Sequence, residues 1–282
     1  MTIVCGTDFS DFAATAVDAA AALAAASKQE LVLVHALDFP GAEAAGEWSL
    51  LEAERKRTTA RLASEAARAG AGGAAVRTEI RVGASDVELV AVAAKEGARL
   101  VVVGAIGRRG DSLWRLGSTA DRVAQSARAP VLVVREAETL VRWVKGGRTL
   151  EVNVAVESTP SSDAAVTWVG ELESAGPCRV TCVHVYWPPE QKDPSKVPAL
   201  ERDLRARIEA LRGGRRFELR ILGGLGRTAD HLASVAQETK ADLVVVGARQ
   251  RSGIARFWTG SVSRGVMDLA TTNVVCVGRP AE

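Results

Sequence analysis

Long apolar runs are missing from this chain: in 282 residues none approaches the roughly 20 that a membrane-crossing helix requires. The Ala-rich stretch from Ala13 to Ala26 carries Asp18 and reads as a helix of a water-soluble domain. Cysteine is scarce, with Cys5, Cys178, Cys182 and Cys276 in or beside strand-like segments. A zinc site needs a second ligand pair at short spacing, and none is found. The four thiols read instead as buried and reduced in a cytoplasmic protein. Neither sign of charge dominates. The formal net charge is +2, which removes any global reason to expect nucleic acid or membrane as partner. The first residues lack the basic and apolar layout of a signal peptide, so the expectation is a cytoplasmic location.

What the chain does have is a hydrophobic content of 47 %, which implies globular structure, and length enough for two domains with separate cores. Its most informative segment is Gly104-Ala-Ile-Gly107, followed after nine residues by Gly117-Ser118-Thr119. The run Leu100-Val101-Val102-Val103 before it reads as a buried parallel strand. Ala120 to Ala127 after it reads as a helix. Glycines let a backbone approach a ligand closely, and a helix start offers free N–H groups and partial positive charge. Strand, glycine loop and helix start together describe a phosphate cradle.

An internal repeat sets the architecture. Gly83 to Val134 aligns without a gap onto Gly226 to Val277, placing Gly104 on Gly247 and Gly117-Ser118 on Gly260-Ser261. In the front halves Asp8 falls on Glu157 and His35 on His184. Each copy alternates strand-like and helix-like segments, so the fold class is α/β, with two tandem, doubly wound, five-stranded parallel sheets. In the first copy strands are expected near Thr2–Thr7, Leu31–Leu37, Ala75–Arg81, Arg99–Gly104 and Val131–Arg135. Helices are expected near Asp11–Ser27, Glu47–Ala69, Ser85–Glu96 and Ser118–Ala127. Ser10 is placed to cap the first helix, and Thr159-Pro160 to start its counterpart. The domains are read as residues 1–137 and 149–282, joined by a linker over 138–148 whose flexible end is Gly146-Gly147. If the first and fourth strands are neighbours, Asp8 and the glycine loop share one crevice at the switch of strand order.

Thr7-Asp8-Phe9-Ser10 after a first strand, His35 closing the second, and G-x2-G-x9-G-[ST] after the fourth resemble the universal stress protein family. The resemblance spans nearly the whole chain as two copies, and the first is similar to the ATP-binding branch. It implies a Rossmann-like fold of the adenine nucleotide alpha hydrolase type, strand order 3-2-1-4-5, and ATP as ligand, with Mg or Mn on the phosphates. It also implies that the fifth strands pack the copies as an internal pseudo-dimer, with further homodimerisation open. Carried over residue by residue, Asp8 contacts the nucleoside end and the backbone of Ala36 reads the adenine edge. Gly104 and Gly107 line ribose and phosphates. Gly117, Ser118 and Thr119 hold phosphates through N–H groups and hydroxyls.

The second copy departs from this pattern. Gln250 stands at the middle glycine and Glu157 at the aspartate, while Gly247, Gly260 and Ser261 remain. With Val185 at the place of Ala36, that site is expected to bind nucleotide more weakly or not at all. Asp8 is also suited to cap the helix that begins near Ser10, a role compatible with ligand contact. Arg108, Arg109 and Arg115 lie in the loop and either pair with phosphate or face solvent. His35 and His184 read as packing residues, and Trp114 and Trp258 as core or interface. No P-loop lysine, acidic metal partner or general base is recognisable, so no catalytic residue is assigned. Three functions stay open: an ATP-binding regulatory protein, a slow ATPase or autophosphorylating enzyme, and a ligand-free interaction scaffold.

Overall fold

Four strands of the first half are nearly continuous apolar runs, and a run of that kind is stable only when both faces are covered. In the computed structural model all four are strands of one parallel sheet. The structure describes residues 2–38, 48–107, 116–186, 196–248 and 261–278. The chain divides into two units, Met1–Val141 and Arg142–Glu282.

The first unit contains β1 (Thr2–Gly6), α1 (Asp11–Ser27), β2 (Glu30–Leu37), α2 (Trp48–Gly70), β3 (Ala75–Val82), α3 (Ser85–Lys95), β4 (Leu100–Gly104), α4 (Ser118–Ser126) and β5 (Val131–Val134). Its strands run parallel in the order β3-β2-β1-β4-β5. That is the order the resemblance implied, and it makes β1 and β4 neighbours, with Val4 opposite Val101. Val4, Val32, Val101 and Val102 are fully buried. β3 carries Arg77, Glu79 and Arg81 half-buried on one face, tied to α3 by Arg81–Glu88 at 2.8 Å and to Glu96 by Arg77 at 2.7 Å. Charge on an outer strand discourages pairing with foreign strands.

Helix α1 starts as its sequence requires. Ser10 has extended backbone and its hydroxyl accepts from the Ala13 N–H at 3.2 Å. The alanines Ala13, Ala16, Ala19, Ala20 and Ala24 are buried, so the helix backbone lies close over the sheet. Gly104 shows how close. A Cβ there would stand 2.9 Å from the Phe12 carbonyl oxygen.

The second unit repeats the plan with β6 (Leu150–Ala155), α6 (Pro160–Leu172), β7 (Cys178–Tyr186), α7 (Val197–Arg212), β8 (Glu218–Gly223), α8 (Thr228–Glu238), β9 (Leu243–Ala248), α9 (Ser261–Leu269) and β10 (Asn273–Gly278). The order within it is β8-β7-β6-β9-β10, again parallel. Thr159 caps α6 by accepting from the Ser162 N–H, with Pro160 at the first turn. Gly247 repeats the close approach of Gly104: its Cβ would lie 2.6 Å from the Ser161 carbonyl oxygen.

Two sequence expectations change. The gapless alignment from Gly83 onto Gly226 slips at its start. Gly83 donates its N–H to Leu37 at 3.0 Å, and the N–H that makes the same bond to Tyr186, also at 3.0 Å, belongs to Gly224. The loop before α8 is longer, and the alignment recovers at the helix start, where Ser85 falls on Thr228. The segment read as linker is also largely helical, as α5 (Glu138–Val144). Its Trp143 is fully buried and donates Nε1–H to the Pro177 carbonyl at 2.9 Å. Gly176 makes room for that indole, because a Cβ there would stand 2.8 Å from Trp143 Nε1.

Cys5, Cys182 and Cys276 are buried as expected, and Cys178 is half-buried. Burial pushes the Cys178 and Cys182 thiols up to about 12 and the Cys5 thiol higher still, which suppresses the reactive thiolate. Arg212 is also fully buried, donating to Glu173 at 2.7 Å and to the Arg216 carbonyl at 2.9 Å. Among the described residues no helix is long and apolar enough to cross a membrane.

Candidate functional site

Because β1 and β4 are adjacent, the chain leaves them in opposite directions at their carboxyl ends, toward α1 and α4. That divergence opens a crevice. In the first unit it is a cavity of about 510 Å³, within the usual size of a small-ligand site. Its walls include Asp8, Ala36, Gly104, Gly107, Gly117, Ser118 and Thr119, so the structure brings together all seven residues read from the sequence for this site. It adds His35, Asp38, Ser85, Leu89, Ile106 and Arg122.

Asp8 begins the turn into α1. Its Oδ1 accepts from the Ser10 N–H at 3.0 Å and from the Ser10 hydroxyl at 2.6 Å, so the aspartate supports the cap from behind. Its Oδ2 faces the glycine loop, where a Cβ on Gly107 would stand 3.1 Å away. Between them Phe9 sits at φ 61°, in the left-handed region that side chains with a Cβ rarely adopt. Sequence reading had no signal for that conformation, since no glycine or asparagine marks it.

His35 packs where expected but is also bonded. It is 6 % exposed and its Nδ1 lies 2.8 Å from the Thr7 carbonyl oxygen. A ring nitrogen that faces a carbonyl must carry the proton. His184 repeats the bond to the Val156 carbonyl at 2.7 Å in the second unit. A feature shared by both units fits the packing role.

The three glycines of the motif have different reasons. Gly104 gives room to the α1 backbone, as above, before any ligand is considered. Gly107 gives room to the Asp8 carboxylate. Gly117 has ordinary backbone angles, φ −67° and ψ 144°, but a Cβ on it would lie 3.3 Å from the Ala105 carbonyl oxygen and 3.5 Å from the Gly107 nitrogen. The Gly117 N–H is already given to Ala105 at 2.7 Å. The first-turn N–H groups of α4, which a helix leaves without intrahelical partners, are therefore those of Ser118, Thr119 and Ala120. With the positive end of the helix dipole they form a place where an anion can bind. Arg122, on the same helix, lines the cavity and is held by Asp86 of α3 at 3.1 Å.

Glu65, on α2, was not anticipated. Its Oε2 accepts from the Thr7 hydroxyl at 2.9 Å. Burial raises the Glu65 carboxyl above its ordinary range, opposed by the Thr7 hydrogen bond and by Arg68 and Arg61.

In the second unit Glu157 follows β6 as Asp8 follows β1, and its Oε1 accepts from the Thr159 hydroxyl at 3.0 Å. Val185 leans toward Gly224, whose Cβ would meet Val185 Cγ1 at 2.6 Å. Gly247, next to the end of β9, is a packing glycine. Ser261 opens α9. Gly260 and Gln250 lie outside the described residues, as do Arg108, Arg109, Arg115, Trp114 and Trp258.

The family description "Universal stress protein family" matches residues 1–135 and 151–278, one match per unit. A universal stress protein of Methanocaldococcus jannaschii is 33% identical over 138 residues, covering 48% of this chain and 81% of that one. A universal stress protein of Mycolicibacterium smegmatis is 28% identical over 218 residues, 73% of this chain and 69% of its own length. The crystal structure of a universal stress protein from Archaeoglobus fulgidus superposes with a TM-score of 0.76 at 16% identity, covering 99% of this chain and 98% of that one, which is a likeness of fold.

Proposed function

The chain belongs to the universal stress protein family, and from that membership we propose that its first unit binds an adenine nucleotide, ATP, whose occupancy sets conformation or partner choice. The observation that carries this reading is the single crevice lined by Asp8, the glycine loop and the α4 N-terminus. A nucleoside placed along β1 and β2 has the Ala36 backbone and the Asp8 carboxylate beside it. Its phosphates then reach the N–H groups and hydroxyls of Ser118 and Thr119. Gly107 and Gly117 keep that path clear of side chains.

ATP fits the cavity in size and in donor set. Among the described residues no cluster of three His, Cys, Asp or Glu exists to hold a metal on its own. Mg or Mn would be carried on the phosphates, with the Ser118 and Thr119 hydroxyls as protein oxygens that could join in holding it. It would supply charge neutralisation there. The proposed role is binding with at most slow hydrolysis, in a cytoplasmic protein.

Titration calorimetry of the full chain tests the reading. One ATP site is expected, with GTP weaker, and with adenosine retaining part of the affinity. Absence of ATP binding, or equal binding of ATP and GTP, overturns it. Phosphate release followed over hours separates a binding protein from a slow ATPase.

A further inference from the structure

Phe9 poses a physical problem. An aromatic residue at φ 61° resists that conformation, and it persists only where the surroundings over-determine it. Three contacts do so. The Phe9 N–H donates to Thr7 Oγ1 at 3.1 Å. The Phe9 ring lies against His35, with centroids 4.5 Å apart. The Arg61 guanidinium sits 4.2 Å from the ring centroid, inside cation–π range. The Thr7 hydroxyl has one proton and gives it to Glu65 Oε2 at 2.9 Å, which leaves its lone pairs for the Phe9 N–H. Arg61 and Glu65 are four residues apart, on one face of α2. The Glu65 side chain is 9 % exposed.

We infer that Arg61 and Glu65 of the outer helix α2 are positioning residues for the nucleotide site: they hold the Thr7–Ser10 turn, and with it Asp8, in ligand-binding geometry. The inference rests on the nucleotide reading of the cavity. The second unit supplies an internal control. Val156 stands at the place of Thr7 and has no hydroxyl. Ser158 stands at the place of Phe9 and has no ring, and its φ is not positive. Helix α7 is tied to α6 through Arg207 and Asp163, at 2.6 Å, as α2 is tied to α1 through Arg68 and Asp18, so the two outer helices dock alike and the copies differ at the turn. The handles on the turn and the aspartate that follows β1 are thus both altered in the same copy. Linkage adds a consequence. If docking of α2 raises nucleotide affinity, nucleotide must raise the stability of α2 docking by the same factor.

The test uses full-length Glu65→Ala, Arg61→Ala and Glu65→Gln. ATP and adenosine should both weaken by about tenfold or more in Glu65→Ala, since a hydrogen bond to a charged group is lost behind the nucleoside contact. Glu65→Gln keeps an acceptor for Thr7 and should restore affinity to within about threefold. In an Asp8→Ala background, Glu65→Ala should add less than about twofold, because the group it acts through is gone. Wild-type affinity in both alanine variants, or an undiminished effect in the Asp8→Ala background, overturns the inference. A second measurement needs no nucleotide. Amide exchange at Phe9 and Ser10 should quicken in Glu65→Ala and in Arg61→Ala, whose side chain is exposed enough to be removed without unfolding the unit. Unchanged exchange refutes the clamp. Failure of the wild-type chain to bind ATP refutes the nucleotide reading instead, and the exchange rates then decide the clamp alone.

Discussion

Replacing Gly104 with alanine separates two explanations of the same glycine. If Gly104 is there for the ligand, an added methyl should cost affinity and leave the fold alone. The structure says otherwise. The new Cβ would lie 2.9 Å from the Phe12 carbonyl oxygen, 3.1 Å from its carbon and 3.4 Å from the Ala13 nitrogen, all backbone atoms of α1. No side chain can rotate away, so the helix start must move. Overpacking of this kind costs about 1–3 kcal/mol. Alanine recovers roughly 0.4–1 kcal/mol through the unfolded chain. The net expectation is a loss of about 1–2 kcal/mol, or a fall of roughly 3–8 °C in the melting of a unit of this size. Calorimetric melting of the full chain, resolved into its transitions, reads this directly. Gly247→Ala should lower the other transition at least as much, since its Cβ would stand 2.6 Å from the Ser161 carbonyl oxygen. A Gly104→Ala chain that melts with wild type while losing ATP affinity tenfold would show the packing argument to be wrong.

Gly117→Val should cost both: its backbone angles suit valine, but the new Cβ would stand 3.3 Å from the Ala105 carbonyl oxygen, so stability should fall by about 1–3 kcal/mol in calorimetric melting and ATP affinity by at least about tenfold in titration calorimetry. Glu157→Asp combined with Gln250→Gly should raise nucleotide stoichiometry, measured by equilibrium dialysis; a wild-type chain already holding two ATP molecules would contradict it. Trp143→Ala should destabilise the second unit by about 3–5 kcal/mol in denaturant unfolding, because a fully buried indole and its bond to Pro177 are lost. Glu65 gives a pH signature. Its folded carboxyl is raised by burial against the pull of Thr7, Arg68 and Arg61, with Asp18 adding to the rise. The folded state therefore holds that proton more tightly than the unfolded chain does, and stability falls as pH rises from the unfolded carboxylate value through the raised folded one. The difference in stability between Glu65→Gln and wild type should grow across that window and then level off; a flat difference would remove burial as the cause.

The fold was legible because its signals are strong and local. The valine runs of β1, β4, β5, β9 and β10 admit little but buried parallel strands, and Ser10 and Thr159-Pro160 mark helix starts by side-chain chemistry. That Gly104, Gly107, Gly117, Ser118 and Thr119 share one crevice was legible from glycines and hydroxyls at fixed spacing, whereas Asp8 and Ala36 came from the family resemblance. Three things were not legible. α5 lies beside Gly146-Gly147, and glycines suggest a loop even when a tryptophan three residues earlier anchors the segment. The two extra residues before α8 were hidden by a second glycine, Gly226, that satisfied the alignment. The Arg61–Glu65 face of α2 joins the site across more than fifty residues of sequence, and nothing local connects a mid-helix glutamate to a threonine at a strand end.

The comparison of the two copies then separates what the fold needs from what a ligand needs. Gly104 and Gly247 are both retained, and both answer to a helix backbone lying on the end of a strand. His35 and His184 are both retained, and both tie the second strand of their unit to the carbonyl that follows the first. These features hold the α/β frame in either unit, so their presence says little about binding. The differences fall around the crevice. Asp8 becomes Glu157, Ala36 becomes Val185, Thr7 becomes Val156 and Phe9 becomes Ser158. Each change either enlarges a group beside the proposed nucleoside or removes a handle on the turn that presents Asp8. A chain that needed only a scaffold would have no physical reason to keep Phe9 in a disfavoured conformation in one copy and relax the same position in the other. The strain is retained where the cavity is lined by the full motif, and that coincidence favours a nucleotide site in the first unit over a ligand-free scaffold.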